Sequence, residues 1–400
     1  MATGWVSLTL SQALVYRLCL AIGTNRLVMA STARPSVIYQ AYTAGVVEKY
    51  STTMSFLRRR SHRPSVRSVL KIAGVTAAAA AAVPVVVAAG LVGVDWFIHR
   101  NREQRRSLNP GTFHAELDHS DLTIYTSGDE LYDDMIDAID AAKSSVLMEA
   151  YIWKNDDVGQ RFIDSLNAAA RRGVEVHVLY DGFANLVVPH SFYRQLSDEV
   201  HVVRLPVIGP RFWKGPLRHT GVNHSKILVV DDNVGFVGGY NIGSMYADYW
   251  RDTHIRATGS GVWGMQYVVA QLWNAMHSYP DQINWVPPET WHGEVEIQPN
   301  LPVQLVYPIR QMYLKAIARA RKSVWITTPY FVPDQQIMQA LVAAAHRGVD
   351  VRVMVPKESN HVVADWVSRG FYGELLDAGI TILLYTSSMI HAKTATIDGE

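Results

Sequence analysis

The sequence predicts an α/β protein built from two repeated halves and set behind a membrane-spanning helix. Three observations carry this expectation. The pattern H-x-K-x-x-x-x-D occurs twice, at His224–Asp231 and at His391–Asp398. Helix-like and strand-like periodicities precede each copy in the same order. An uncharged run, Ile72–Val94, stands before both halves.

The run reads "IAGVTAAAAAAVPVVVAAGLVGV". At about 1.5 Å per residue it reaches roughly 35 Å, enough for a hydrocarbon core. Trp96 and Phe97 follow it, as aromatic residues do at a bilayer interface. The competing readings are a buried Ala-rich helix, broken by Pro84, or a signal peptide. The expected organisation is a basic N-terminal segment 1–71, a transmembrane helix 72–98, a linker 99–120, a first lobe 121–278, a second linker 279–302 and a second lobe 303–400. Arg58, Arg59, Arg60, Arg63, Arg67 and Lys71 precede the span, and Arg100, Arg102, Arg105 and Arg106 follow it. That balance does not fix orientation. Met54 opens a basic stretch that reads as the true start, which makes the preceding residues an extension. The alternatives are a genuine N-terminal domain or a second weak membrane segment at Trp5–Ile22.

In the first lobe, apolar residues at three-to-four spacing (Leu131, Met135, Ile136, Ile139) predict a helix leading into a strand at Ser145–Trp153. A second helix, about Asp157–Arg172, stops at Gly173, a residue suited to a left-handed cap. A β-branched strand, Val174–Tyr180, follows. The second lobe repeats this course with Met312–Ala320, Ser323–Tyr330, Gln335–Arg347, Gly348 and Val349–Val355. Each H-x-K pattern then follows one strand and opens another. The Pro-rich stretch 279–302 separates the lobes.

With 15 His, 10 Lys and 23 Asp in 400 residues, chance gives about 0.02 copies of the pattern. Two copies at equivalent places of a repeat are one element used twice. On a strand, residues i and i+2 share a face, so His224 points with Lys226, and His391 with Lys393. If the halves pack about a pseudo-two-fold axis, two imidazoles and two ammonium groups meet in one cleft. That set suits a phosphodiester. Lysines stabilise the phosphate charge, one neutral His attacks phosphorus, and the other donates a proton to the leaving alkoxide. Sequence symmetry leaves open which His does which. No metal or other cofactor is required by this chemistry.

Asp231 and Asp398 complete the motifs, each at an expected turn. Seven positions from the His puts Asp231 on the opposite face of a regular strand, so the expected role is orienting or charge-balancing beside an ordinary turn role. Glu149, inside the apolar "VLMEAYIW", is a candidate to orient a catalytic His from a neighbouring strand or to pair structurally elsewhere. Asn223 is a candidate phosphate contact or a turn residue. The aromatic and basic loop Arg211–His219 is a candidate for lipid headgroups or an ordinary packed loop.

These residues resemble the phospholipase D superfamily, defined by paired H-x-K-x-x-x-x-D motifs, and within it the bacterial cardiolipin synthases. "NHSKILVVDDNVGFVGGYNIG", "YWRDTHIRATGSGV", "TTPYFVPD" and "IHAKTATIDG" carry the resemblance, over about residues 120–400. It implies a bilobed α/β/α fold with mixed sheets, one shared active site and a covalent phosphohistidine. It implies that Asn241 helps bind phosphate, that His224 is the nucleophile and that His391 is the general acid. Members of the family continue past the second motif with a further strand and an Asn element. This chain ends at Glu400, so the second lobe is expected to be truncated.

The expected activity moves a phosphatidyl group from phosphatidylglycerol through His224 to a second phosphatidylglycerol, giving cardiolipin and glycerol. The expected partners are phospholipids and a bacterial inner membrane with a single-pass anchor, in a pseudo-dimeric single chain. The alternatives are a phospholipase D using water, another phosphodiesterase of the superfamily, or an inactive membrane scaffold. A net charge of +1 disfavours nucleic acid, and the intact His–Lys pairs disfavour the scaffold. The lone Cys19 excludes an internal disulfide framework.

Overall fold

The structure, a computed structural model, describes residues 105–206, 223–286, 295–299 and 308–399, with Gly90, Gly93 and Phe97. The expected membrane span, the basic N-terminal segment and the loop Arg211–His219 lie outside the described residues, apart from those three positions. Among the described residues, no helix is long and apolar enough to cross a membrane.

The first part opens with a hairpin, β1 (Thr112–Leu117) and β2 (Ser120–Tyr125), closed by Asp118 and His119. β1 falls inside the stretch expected as linker. Helix α1 (Gly128–Ala141) follows, with Asp129 and Glu130 in its first turn, where acids complement the helix dipole. Leu131, Tyr132, Met135, Ile136 and Ile139 form its buried stripe. Next come β3 (Ser145–Ala150), α2 (Asp157–Arg171), β4 (Glu175–Asp181), the short α3 (His190–Tyr193) and β5 (Val200–Leu205). The Asp156 side chain caps α2 by accepting from the Gly159 N–H. Gly173, at φ +87°, turns the chain out of it. The part closes with β6 (Ile227–Val230), β7 (Val234–Gly238), α4 (Ser244–Tyr249), β8 (Trp250–Arg251), β9 (His254–Gly259) and α5 (Gly261–Met276).

Its strands form one mixed sheet in the order β1-β2-β9-β7-β6-β3-β4-β5. One face packs on α1 and α2 through Met148, Val176, Val178, Leu228 and Phe236. The other packs on α5 through Leu147, Leu179, Ile227, Val229 and Met265. β3 is therefore buried on both faces, which is why it reads as an apolar run interrupted only by Glu149 after its opening Ser145. Phe162, fully buried on α2, would cost about 3–5 kcal/mol if cut to Ala. Part of the expected second linker is fastened to this half. Trp273 Nε1 donates to the Asp281 carbonyl at 2.8 Å, and Ile283 and Ile297 lie against the α5 core.

The second part repeats the course with α6 (Pro308–Arg319), β10 (Ser323–Thr327), α7 (Gln335–His346), β11 (Asp350–Pro356), α8 (Val362–Arg369), α9 (Tyr372–Asp377), β12 (Thr381–Tyr385), β13 (Met389–Ile390) and β14 (Thr394–Ile397). Its sheet order is β12-β11-β10-β14. This matches β5-β4-β3-β6 in direction as well as order, with parallel pairs throughout except β3–β6 and β10–β14. The fully buried Leu341 and Val324 anchor the core between this sheet, α6 and α7. The other face differs. Trp325, the counterpart of the buried Leu147, is 47% exposed. Among the described residues, no helix covers that face as α5 covers the first sheet. The fold is mixed α/β with mixed sheets.

Candidate active site

β6 runs antiparallel to β3, with Ile227 opposite Glu149. The residues before β6, 223–226, therefore lie at the C-terminal end of β3. The same register logic puts 391–393 at the C-terminal end of β10, because Thr394 stands opposite Thr327. A two-stranded pairing then draws the ends together. β13 lies parallel to β8, and the His391 N–H donates to the Arg251 carbonyl at 2.7 Å.

In each motif the lysine folds back on its own histidine. Lys226 Nζ donates to the His224 carbonyl at 2.8 Å and lies 3.4 Å from His224 Nδ1. Lys393 Nζ donates to the His391 carbonyl at 2.6 Å and lies 2.9 Å from His391 Nδ1. Lys226, His391 and Lys393 are buried. Aromatic rings flank both imidazoles: Tyr151 at 4.3 Å from His224, and Trp250 at 4.7 Å from His391. The Lys226 ammonium also stands over the Tyr151 ring, 4.7 Å from its centroid.

One residue breaks the symmetry. Asp252, 1% exposed, sets Oδ2 at 2.6 Å from His391 Nδ1. A carboxylate at Nδ1 holds the proton there and makes Nε2, which lies 3.1 Å from Lys393 Nζ, the nitrogen that can exchange a proton. Among the described residues, no carboxylate is hydrogen-bonded to the His224 ring. The Gly238–Gly239 pair makes room for this arrangement. A Cβ on Gly239 would lie 2.0 Å from Asp252 Oδ1, and one on Gly238 would lie 2.6 Å from His254 Cγ.

The titrations follow from crowding cations in a buried place. Burial and the two lysines press His224 well below the usual histidine value. Burial and Lys393 bring His391 to about 4, against the opposing pull of Asp252. Burial lowers Lys393 to about 8, and burial with Lys393 holds Lys226 well below the usual lysine value. Burial opposes the charged form of Asp252, but Lys393 and His391 outweigh it and hold the carboxylate ionised. Two lysines and two imidazoles suppressing one another's charge are relieved by an anion.

The remaining expected site residues divide. Asn241 is buried, its carbonyl accepts from Tyr132 Oη, and its Oδ1 has no partner among the described residues. Glu149 does not orient a histidine; Asp252 occupies that position. Glu149 lies on the opposite face of the sheet, where its Oε1 accepts from Asn223 Nδ2. It grips the back of the segment whose front carries His224 and Lys226. Burial raises it to about 7, against hydrogen bonds from Asn223 and Ser225. Asn223 is further fixed by its N–H, which donates to Asp181 Oδ2 at 3.1 Å.

Asp231 and Asp398 do not join the His–Lys pairs, despite their place beside them in the motif. Each sits past the far end of its strand, roughly 15 Å from its lysine at 3.3 Å per residue. Each adopts positive φ, +52° and +58°. Asp231 accepts from the N–H groups of Lys143, Ser144 and Ser145, and Asp398 from those of Arg321, Lys322 and Ser323. These are the turns joining α1 to β3 and α6 to β10. Burial opposes the charge on Asp231, but the N–H donors prevail and lower its pKa. Those from Ser323, Lys322 and Arg321 lower that of Asp398. Sequence reasoning missed Asp252, Tyr151 and Trp250. Asp252 stood within "YWRDTHIRATGSGV", but no spacing ties it to His391.

Residues 135–263 and 313–400 match the family model described as "Cardiolipin synthase, PLD-like domain". A curated relative, "Cardiolipin synthase" of Listeria monocytogenes serotype 4b (strain CLIP80459), is 32% identical over 300 residues, covering 70% of this chain and 60% of that protein. "Cardiolipin synthase 2" of Bacillus anthracis is 35% identical over 290 residues, covering 69% and 55%. The chain thus spans about 60% or less of these relatives' length. Among solved structures, the phosphatidylserine synthase of Haemophilus influenzae Rd KW20 superposes with a TM-score of 0.52 at 17% identity, over 72% of this chain and 78% of that one. That likeness is one of fold.

Proposed function

The chain belongs to the cardiolipin synthase, PLD-like domain family, and we propose that it is a phosphatidyltransferase acting on phospholipids through a phosphohistidine on His224. The observation that carries the reading is the buried site in which Lys393 and His391 act electrostatically on His224, and Lys393 on Lys226, with Asp252 hydrogen-bonded to His391. An imidazole nitrogen of His224 attacks the phosphorus of phosphatidylglycerol. The P–O bond to the leaving glycerol breaks, and protonated His391 supplies the proton to that alkoxide. The hydroxyl of a second phosphatidylglycerol then gives its proton to His391 and attacks phosphorus. The P–N bond breaks and cardiolipin leaves. Lys226 and Lys393 neutralise the phosphate oxygens as charge builds. Asp252 supports the imidazolium of His391, which favours the acid–base role for that residue and the nucleophilic role for His224. Substrate binding supplies the missing anion, so His391 gains its proton when the phosphodiester arrives.

In this reading the two parts are lobes related by a pseudo-two-fold axis, and Asn241 and Asn223 contribute to phosphate binding. The uncharged run Ile72–Val94 supports single-pass anchoring in a bacterial cell membrane. The experiment is to incubate purified protein with labelled phosphatidylglycerol in mixed micelles and separate the lipids. Cardiolipin supports the reading. Phosphatidic acid replaces it with a hydrolase, and neither product defeats both.

A further inference from the structure

The His–Lys pairs lie at the C-terminal ends of β3 and β10, so the loops leaving the parallel neighbours β4 and β11 rise at the same end. Each loop is fixed to an aromatic residue beside one of the two motif histidines, the first through the Tyr151 backbone and the second through the Tyr330 hydroxyl. After β4, Asn185 is buried; its Nδ2 donates to the Tyr151 carbonyl at 2.7 Å and its Oδ1 accepts from the Trp153 N–H at 2.9 Å. Asp181 accepts from the N–H groups of Phe183 and Ala184, and its other oxygen takes the N–H of Asn223, next to His224. After β11, Asn360 accepts from Tyr330 Oη at 2.5 Å, and the Tyr330 ring lies 6.3 Å from His391.

Well-anchored loops ordinarily turn apolar side chains inward. These turn them out. Phe183 is 45%, Leu186 60% and Val187 83% exposed, and Trp366, on the α8 helix that follows the second loop, is 77% exposed. Residues 182–195 hold Arg194 and no acidic residue. Exposed Arg204 stands at the end of β5; near Trp366, Lys357 and Arg369 are balanced by Glu358 and Asp365, so the basic excess lies on the first loop.

We propose that Phe183, Leu186, Val187 and Trp366 form a docking rim that enters the headgroup–acyl boundary of an anionic bilayer around the cleft. This rests on the phosphatidyltransferase reading, because a lipid phosphate held at the cleft leaves its acyl chains in the bilayer directly beyond the mouth. Aliphatic tips with an interfacial Trp and adjacent cations suit that boundary. The hydrogen bonds from Asp181 and Asn185 make the first loop continuous with Tyr151 and Asn223, so docking is transmitted to the segment that carries His224.

The test uses the full chain with Cys19→Ser, carrying either Val187→Cys or, at the other end of β4, Glu175→Cys. Each is labelled with a polarity-sensitive fluorophore. Phosphatidylcholine vesicles with and without phosphatidylglycerol carry a nitroxide near the headgroup. Quenching and a blue shift at position 187, strongest with phosphatidylglycerol and absent at 175, are expected. Equal signals at both positions overturn the rim, and so does a blue shift without nitroxide quenching, which would point to a protein partner. In a second arm, the triple variant Phe183→Ser, Leu186→Ser, Val187→Ser slows turnover of vesicle lipid by about tenfold or more and leaves monomeric short-chain lipid unaffected. Equal loss on both substrates overturns the proposal. If no lipid is turned over by the parent chain, the function falls, while the probe arm still decides the rim.

Discussion

Asp252 and His391 face each other across the two repeats, with 2.6 Å between Oδ2 and Nδ1. The pair joins a residue of the first part to the second motif, so the chemistry of one depends on the packing of both. Asp252→Asn keeps the shape and removes the charge that supports imidazolium. Turnover is expected to fall by about 10²–10⁴. A phosphodiester with an acidic phenol leaving group, which needs no proton, should lose far less in the step that forms the adduct. Equal losses with both leaving groups would show that Asp252 merely maintains the fold.

Lys226→Ala and Lys393→Ala should each slow turnover by about 10²–10³, the effect of deleting one transition-state charge contact. Steady-state rates with labelled phosphatidylglycerol check this. A rise in KM with unchanged kcat would assign the lysines to ground-state binding alone.

Asp231→Ala and Asp398→Ala remove the carboxylates that hold the α1–β3 and α6–β10 turns. Both variants should unfold at lower denaturant concentration. The folded protein should keep its turnover within about threefold, because neither side chain reaches the cleft. Denaturation midpoints and rates on the same samples decide it. Loss of activity by orders of magnitude at unchanged stability would return the aspartates to the chemistry.

Lys393 gives a pH signature. Its pKa is 10.5 in ordinary surroundings and about 8 in the fold. Between these values the unfolded chain binds the proton and the folded chain does not, so this residue makes stability rise with pH across that window. Below about 8 the folded protein carries the buried charge at a cost. Lys393→Met should therefore stabilise the empty protein at neutral pH, with the advantage over the parent shrinking toward pH 10.5. Inorganic phosphate binding should weaken as pH rises past about 8, since the ammonium that attracts it is lost. Midpoints and phosphate titrations across this range test both signs.

Much of this was legible in the sequence, for local reasons. Gly173 and Gly348 end their helices at positive φ, +87° and +86°, which the helix-to-strand change in periodicity had already indicated. The two-residue period correctly paired His224 with Lys226. It also put Asp231 on the wrong side for catalysis, and the N–H groups of residues 143–145 give that side a purpose. Glu149 stayed open between orienting a histidine and pairing structurally, because periodicity identifies alternate faces but not which face meets which helix; its bond to Asn223 on the α5 side is the structural pairing. Asp252 was beyond reach because its partner is 139 residues away, brought there by two pairs of residues between β8 and β13. β1 was lost in a linker because its outer position in the sheet leaves Phe113 and Leu117 exposed, with little apolar pattern to notice.

The central claim is that His224 carries the phosphatidyl group while His391 moves the proton. The most direct measurement is to mix the protein with labelled phosphatidylglycerol, quench rapidly under alkaline denaturing conditions, and locate the label by peptide mass spectrometry. The label should lie on His224, vanish in His224→Ala, and persist in His391→Ala when the leaving group needs no proton. Label on His391, retained when His224 is removed, would reverse the assignment; turnover with label on neither histidine would contradict the covalent account.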